Sequence, residues 1–204
     1  MARKGLAKEV FVQRALDIFM EHSLRTTMDE ISHQIRVSKR TIYEQFDDKT
    51  DLVRACLGCM LQHRPELVVP KKENLMDSLY HTLYANMMVF FGKPSRFLIQ
   101  VQRYYPELYH EEVDPVVDNV RKYLMSLIEE SRESGYMRAD INTEILFSYM
   151  FKYVFLVASD NEAMFFKYSP SEIFHNTIYP IMRGMLTNEG LRRMDKVVGA
   201  AQKK

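Results

Sequence analysis

Cysteine is nearly absent from this chain. Cys56 and Cys59 are the two in 204 residues, which excludes a disulfide-stapled scaffold. Glycine and proline are scarce too, 7 of each, and they fall mostly at the ends of apolar-periodic segments, so neither repeats nor low-complexity linkers break up the chain. An excess of one charge is also missing: 28 Lys and Arg against 27 Asp and Glu leave a net +1, so bulk charge does not announce a nucleic-acid partner. No apolar run approaches the roughly 20 residues of a membrane span, and the opening MARKGLAKEVFVQRALDIF has no continuous apolar core of a signal peptide. A soluble, cytoplasmic protein is expected. Gly-rich phosphate loops, nucleophile elbows and His-Glu-x-x-His zinc motifs are all lacking, which removes the commonest frames for catalysis. No cofactor or metal is expected.

What is present is helical periodicity, with no convincing alternating strand. The chain reads as all-α, and the densest signal runs from Thr26 to Val53, TTMDEISHQIRVSKRTIYEQFDDKTDLV. Thr27 with Glu30 makes a capping box, Ser38 caps a second helix over SKRTIYEQF, and Asp47 or Asp48 caps a third with Asp51 in its first turn. Only Ile35, Arg36 and Val37 separate the first two helices, which is a helix-turn-helix spacing. Ile31, Ile35, Val37, Ile42, Phe46 and Leu52 can close one small core with Ala15, Ile18 and Phe19 of an earlier helix. In the middle helix only Ile42 is strongly aliphatic, and Lys39, Arg40, Thr41, Tyr43, Glu44 and Gln45 occupy the rest. A short helix so supplied presents an outer face, and the major groove of DNA is the partner that fits it. Cations cluster here as well: Arg3, Lys4 and Lys8 lie at the start, and Arg36, Lys39, Arg40 and Lys49 surround the recognition segment.

The run T-T-x-x-x-I-x-x-x-x-x-V-S-K-x-T-I-Y-x-x-F-x-x-K-x-x-L resembles the N-terminal domain of TetR-type transcriptional regulators. Thr26, Thr27, Ile31, Val37, Ser38, Lys39, Thr41, Ile42, Tyr43, Phe46, Lys49 and Leu52 carry the match. The resemblance implies DNA contact by Thr27, Arg36, Ser38, Lys39, Arg40, Thr41, Tyr43 and Lys49. Beyond residues 1–63 it extends only to helix count and order. The family has a small residue after the first Ile and a Gly in the turn, where this chain has Ser32 and Arg36. The loop between the first two helices also reads one residue shorter than usual, with Ser23 near the customary Gly. If the turn demands positive φ, Arg36 costs about 1 kcal/mol relative to Gly but adds a cation beside the recognition helix.

The remaining pattern divides the chain into a DNA-binding domain over 1–64, with the start of a linking helix, and a helical ligand-binding and dimerisation domain over 65–204. The boundary is drawn in the segment Glu66 to Glu73, which contains Pro70. Helices are expected over about Lys4–His22, Lys49–Arg64, Asn74–Phe91 and Ser95–Tyr105. A short ELYHEE piece follows Pro106, and a long helix from Asp114 is closed by Gly135. Others start at Asn142, at the Ser169–Glu172 capping box and at Asn188. The stretch ILFSYMFKYVFLVA from Ile145 is apolar almost all round, too short for a membrane and too apolar for one covered face. With the helix after Ser169, kinked at Pro180, it is expected to build a two-fold four-helix bundle in a homodimer, through Ile145, Tyr149, Tyr153, Phe174, Ile178 and Met182. A soft aromatic and Met-rich set, His81, Tyr84, Met88, Gln100, Arg103, Tyr104, Tyr123, Phe147 and Phe151, suits a flat, mostly apolar effector of unknown identity. The expected function is a ligand-responsive, homodimeric repressor of a palindromic operator.

Two constellations compete with this reading. Cys56-Leu57-Gly58-Cys59 with His63 could sense metal or redox state, although in a reducing cytoplasm two buried thiols explain it as well. Glu-x-x-His recurs at Glu30/His33, Glu107/His110 and Glu172/His175, the motif of di-iron carboxylate bundles. An all-α oxidase is therefore the enzyme alternative.

Overall fold

Short polar caps decide where each helix of this chain begins. The computed structural model describes residues 7–62, 74–90, 93–160 and 167–201, apart from the side chains at 62, 90, 93–94, 151, 153–160 and 201. Twelve helices are described: α1 Lys8–Glu21, α2 Met28–Ile35, α3 Lys39–Tyr43, α4 Lys49–Gln62, α5 Leu75–Phe90, α6 Lys93–Tyr104, α7 Pro106–Glu112, α8 Asp114–Glu133, α9 Thr143–Asp160, α10 Pro170–Asn176, α11 Ile178–Gly184 and α12 Asn188–Ala201. Apart from an isolated antiparallel bridge between Met137 and Leu186, no extended pairing occurs among the described residues. The fold is all-α, as expected.

The chain divides into two compact units, 1–65 with 93–116, and 66–92 with 117–204. In the first, α1 to α4 close over Ala15, Phe19, Ile31, Ile35, Ile42, Phe46 and Leu52, all buried, while Ile18 and Val37 are half-buried. Phe11 meets Phe46 with ring centroids 5.5 Å apart. Helices α6 and α7 join this unit because their apolar faces belong to it. Phe97 stacks on Phe19 at 6.0 Å, and Leu98, Val101, Leu108 and Val113 are buried. Arg54 of α4 grips α7 through ion pairs to Glu111 and Glu112. Those carboxylates hold its pKa above the usual guanidinium value.

The second unit is built around α5, whose Met76, Leu79, Tyr80, Leu83 and Met87 are buried. Ring edges fill its contact with α10 and α11: Tyr84 lies 5.9 Å from Tyr80 and 5.1 Å from Phe174, centroid to centroid. His175 Nδ1 lies 2.8 Å from the Ser171 carbonyl, which can only accept, so that nitrogen carries the proton. Nε2 is then left to accept from the Tyr80 hydroxyl at 3.2 Å.

The helix expected from Ser169 is two helices. The capping box is present, with the Ser169 backbone N–H donating to Glu172 at 2.8 Å and the Glu172 N–H to the Ser169 hydroxyl oxygen at 3.2 Å. Three residues before Pro180 the chain leaves helical geometry at Thr177, φ −123° and ψ −69°. Proline has no N–H for the carbonyl one turn back, and its ring crowds that carbonyl. Between α8 and α9, Gly135 takes φ 71° and closes the helix, with the Tyr136 N–H donating to Ser131 C=O at 2.8 Å. The following residues pair with those before α12: Arg138 N–H to Met185 C=O and Thr187 N–H to Tyr136 C=O, each 2.9 Å.

Candidate nucleic-acid interface

The recognition segment is held by three local devices. At the start of α2, Glu30 accepts from the Thr27 backbone N–H at 2.6 Å and from its hydroxyl at 2.9 Å, while the Glu30 N–H returns to Thr27 Oγ1 at 3.3 Å. These bonds, the backbone one first, hold the Glu30 carboxyl below its ordinary value. At the end of α2, Arg36 sits in the left-handed region, φ 63° and ψ 44°. The Val37 N–H donates to Ser32 C=O at 3.1 Å, the six-to-one bond of a Schellman turn. Ser38 then caps α3, its Oγ accepting from Thr41 N–H at 3.1 Å and lying 2.8 Å from Thr41 Oγ1. Helix α3 is shorter than SKRTIYEQF suggests, because Gln45 and Phe46 both return their N–H groups to Ile42 C=O at 2.9 Å.

Ile42 alone in α3 is fully buried, 1% exposed, and its burial turns the other side chains outward. Arg36, Ser38, Lys39, Arg40, Tyr43 and Glu44 are exposed and Thr41 is half-buried. Tyr43, at 53%, is among the few large side chains left open to solvent. Two of the cations are tethered on the surface, Lys39 to Asp29 and Arg40 to Glu44 at 2.8 Å. Exposed pairs of this kind are worth little and exchange readily for a phosphate. Lys8 steadies the far end, donating to Gln45 C=O at 3.4 Å with its ammonium 4.8 Å from the Phe46 ring centroid.

Other expected contacts sit differently. Lys49 donates its ammonium to the Leu24 carbonyl, and desolvation pulls its pKa down against the attraction of Glu30. Leu24 is clasped from the other side by Gln100 of α6, whose Oε1 accepts from the Leu24 N–H at 2.6 Å and from the Ser23 hydroxyl at 2.8 Å. Gln100, Arg103 and Tyr104, expected in an effector pocket, thus belong to the same compact unit as the DNA-reading helices. Tyr104 accepts from Arg25 Nε at 3.1 Å. Arg25 is not among the residues the sequence reading singles out, and a cation directly before Thr26-Thr27 was the available signal.

Of the other effector candidates, Met88, Tyr123 and Phe147 lie in the second unit. His81 pairs with Asp77 at 3.3 Å, and Tyr84 belongs to the Tyr80–Phe174–His175 cluster. The Phe151 side chain lies outside the described residues. Among residues expected at a dimer face, Ile145 and Tyr149 are exposed, 69% and 59%, whereas Phe174, Ile178 and Met182 are buried within the chain's own second unit. The Tyr153 side chain lies outside the described residues, as do Arg3, Lys4 and His63.

The competing constellations resolve into local structure. Cys56 is fully buried, its thiol donating to Val12 C=O at 3.6 Å and pushed up in pKa by desolvation. The carboxylates of Glu30 and Glu172 are spent on capping boxes, and His110 lies 2.7 Å from Asp114. No group of His, Cys, Asp and Glu among the described residues could hold a metal ion, and no described helix is long and apolar enough to cross a membrane.

Residues 11–56 match the family model described as bacterial regulatory proteins, tetR family. That segment is similar to the N-terminal domain of TetR-type regulators. It is a helix-turn-helix domain at the N-terminal end of an all-α fold. No curated protein is significantly similar to it in sequence. Among solved structures, the ketosteroid transcriptional regulator of Mycobacterium tuberculosis is 15% identical at a TM-score of 0.68, over 91% of this chain and 98% of that one. The fatty acid degradation regulator FadR from Bacillus halodurans is 17% identical at 0.59, over 85% and 94%. The superantigen pfit is 12% identical at 0.64, over 91% and 92%. At such identities the likeness speaks for the fold alone.

Proposed function

We propose that this protein is a TetR-type transcriptional regulator, a homodimeric repressor that reads a palindromic operator through α3 and lets go when a small, largely apolar or aromatic effector binds its C-terminal domain. The single observation behind the DNA reading is the disposition of α3. One buried aliphatic, Ile42, anchors it, and Lys39, Arg40, Thr41 and Tyr43 are turned out around it. Residues 1–64 are assigned to DNA contact and 65–204 to effector binding and dimerisation. Arg36, Lys39, Arg40, Thr41 and Tyr43 are the side chains placed at the operator. Thr27, Ser38 and Lys49 contribute there chiefly by fixing α2, α3 and the α1–α2 loop.

Dimerisation is assigned to the exposed stripe of α9, Ile145 and Tyr149. The effector is assigned to the aromatic and Met-rich interior, with His81, Tyr84, Met88, Tyr123 and Phe147 as candidates. The names of two structural neighbours, a ketosteroid regulator and a regulator of fatty acid degradation, accord with an apolar ligand. Release then follows from geometry: two recognition helices must stay roughly one DNA turn apart, about 34 to 36 Å, to read both half-sites. The coupling need supply only about 1 to 3 kcal/mol.

Base-edge and phosphate contacts separate under mutation. Changing Lys39, Arg40 or Thr41 should alter sequence preference, while Tyr43→Phe should weaken all duplexes alike. Binding titrations against a panel of single-base operator variants distinguish the two. If the α3 variants kept both affinity and preference, α3 would not be the reading element.

A further inference from the structure

The first unit carries a second group of cations, outside α3, whose arrangement calls for an anion. Arg25, in the loop before α2, lies with its guanidinium carbon 5.6 Å from the Tyr104 ring centroid, and Arg103 of α6 lies 5.8 Å from the same centroid. All three residues are exposed, Tyr104 by 38%. Neither arginine has a carboxylate partner among the described residues. By contrast, Lys39, Arg40 and Arg54 in the same unit are each paired with one. Two guanidinium groups against one ring gain cation–π attraction but repel each other. An oxygen-rich anion between or beside them would offset that repulsion.

The available donors fit a phosphate. Arg25 spends Nε on the Tyr104 oxygen, which leaves its terminal nitrogens free for a bidentate contact. Tyr104, having accepted there, still has its own O–H to donate. The loop is also pre-set. The Leu24 peptide is held at its N–H by Gln100 and at its carbonyl by Lys49, and the Arg25 N–H donates to Ser23 Oγ at 3.1 Å. An anion bound here would order little new backbone.

We propose that Arg25, Arg103 and Tyr104 form a cradle for a DNA backbone phosphodiester flanking the half-site, so that α6 contributes to operator affinity. The proposal rests on the DNA-binding reading above. The duplex is the occupant favoured because the cradle directly precedes Thr26, Thr27 and the start of α2, continuous with the recognition segment, and because an open surface site holds a free small anion weakly. A diester of this kind positions the protein and carries no base information.

The test uses the full chain and an operator selected from random DNA, prepared with and without its flanking base pairs. Affinity is measured across a salt series for wild type, Arg103→Gln, Tyr104→Phe and a control, Arg121→Gln, an exposed cation on α8. On the long duplex Arg103→Gln should raise Kd roughly three- to tenfold and reduce the salt slope by about 0.9, the release of one counterion. Tyr104→Phe should raise Kd about twofold. Sequence preference should not change, and both losses should vanish on the trimmed duplex. The cradle is overturned, with the α3 reading intact, if wild type binds tightly but Arg103→Gln matches Arg121→Gln on the long duplex. An altered base preference in Arg103→Gln, or a loss that persists on the trimmed duplex, overturns it as well. Failure of wild type to bind any duplex overturns both readings.

Discussion

Arg36 occupies the one described non-glycine position with positive φ, 63°, where its Cβ crowds the following carbonyl. The sequence made this legible, because the TetR motif places a glycine in that turn. Arg36→Gly should therefore stabilise the protein by about 0.5 to 1 kcal/mol, relief of the left-handed strain less the extra chain entropy of glycine. Thermal unfolding checks this, and the same variant should bind DNA more weakly for want of a cation. Lys49 was harder to read. Its spacing in the motif is right for a phosphate contact, yet its partner is the Leu24 carbonyl, 25 residues away in sequence. Nothing local in the chain announces such a bond. The same holds for Gln100, 76 residues from Leu24. Local patterns give helix faces and caps; they do not say which unit a face belongs to.

At the scale of elements the caps were the most legible feature. Thr27–Glu30 and Ser169–Glu172 stand in the structure as the spacing requires, since a capping box needs only residues three apart. Both glutamates are held below their ordinary value of 4.5, chiefly by the backbone N–H of the capping residue. The folded pKa is thus lower than the unfolded one, so each contributes stability that is full above about pH 4.5 and is lost as pH falls through the lower folded value. Glu30→Gln keeps an acceptor but cannot titrate. It should flatten the acid limb of a stability–pH curve measured by circular dichroism, and an unchanged limb would assign that limb to other groups. The bridge between Met137 and Leu186 was not legible, being two residues set against each other by the ends of α8 and α11. It explains Gly190: a Cβ there would meet the Tyr136 carbonyl oxygen at 2.2 Å. Gly190→Ala should destabilise by more than 2 kcal/mol, a backbone clash rather than a propensity effect, whereas Gly199→Ala, with open space around it, should not.

For the whole molecule, a net charge of +1 conceals the distribution that matters. Cations gather around α3 and the α1–α2 loop, while α9 keeps Ile145 and Tyr149 open to solvent. The apolar length of α9 leads to the expectation of a partner shared with the helix after Ser169, but the burial of that helix's own apolar residues is not legible. Phe174, Ile178 and Met182 are spent on the chain's own core, and α10 packs against α5 with the Phe174 ring centroid 5.1 Å from that of Tyr84. Ile145→Glu should convert a dimer to monomers in sedimentation and lower operator affinity by at least tenfold, without loss of helicity. Retention of the dimer would move the interface away from this stripe.

The central claim is that a two-fold pair of α3 helices reads DNA sequence. Selection of bound fragments from random duplex DNA, at two salt concentrations, tests it most directly. A palindrome with half-site centres about one helical turn apart is the predicted result, with affinity falling steeply as salt rises. Enrichment of no sequence at either salt, or of a single half-site with no symmetric mate, would contradict it.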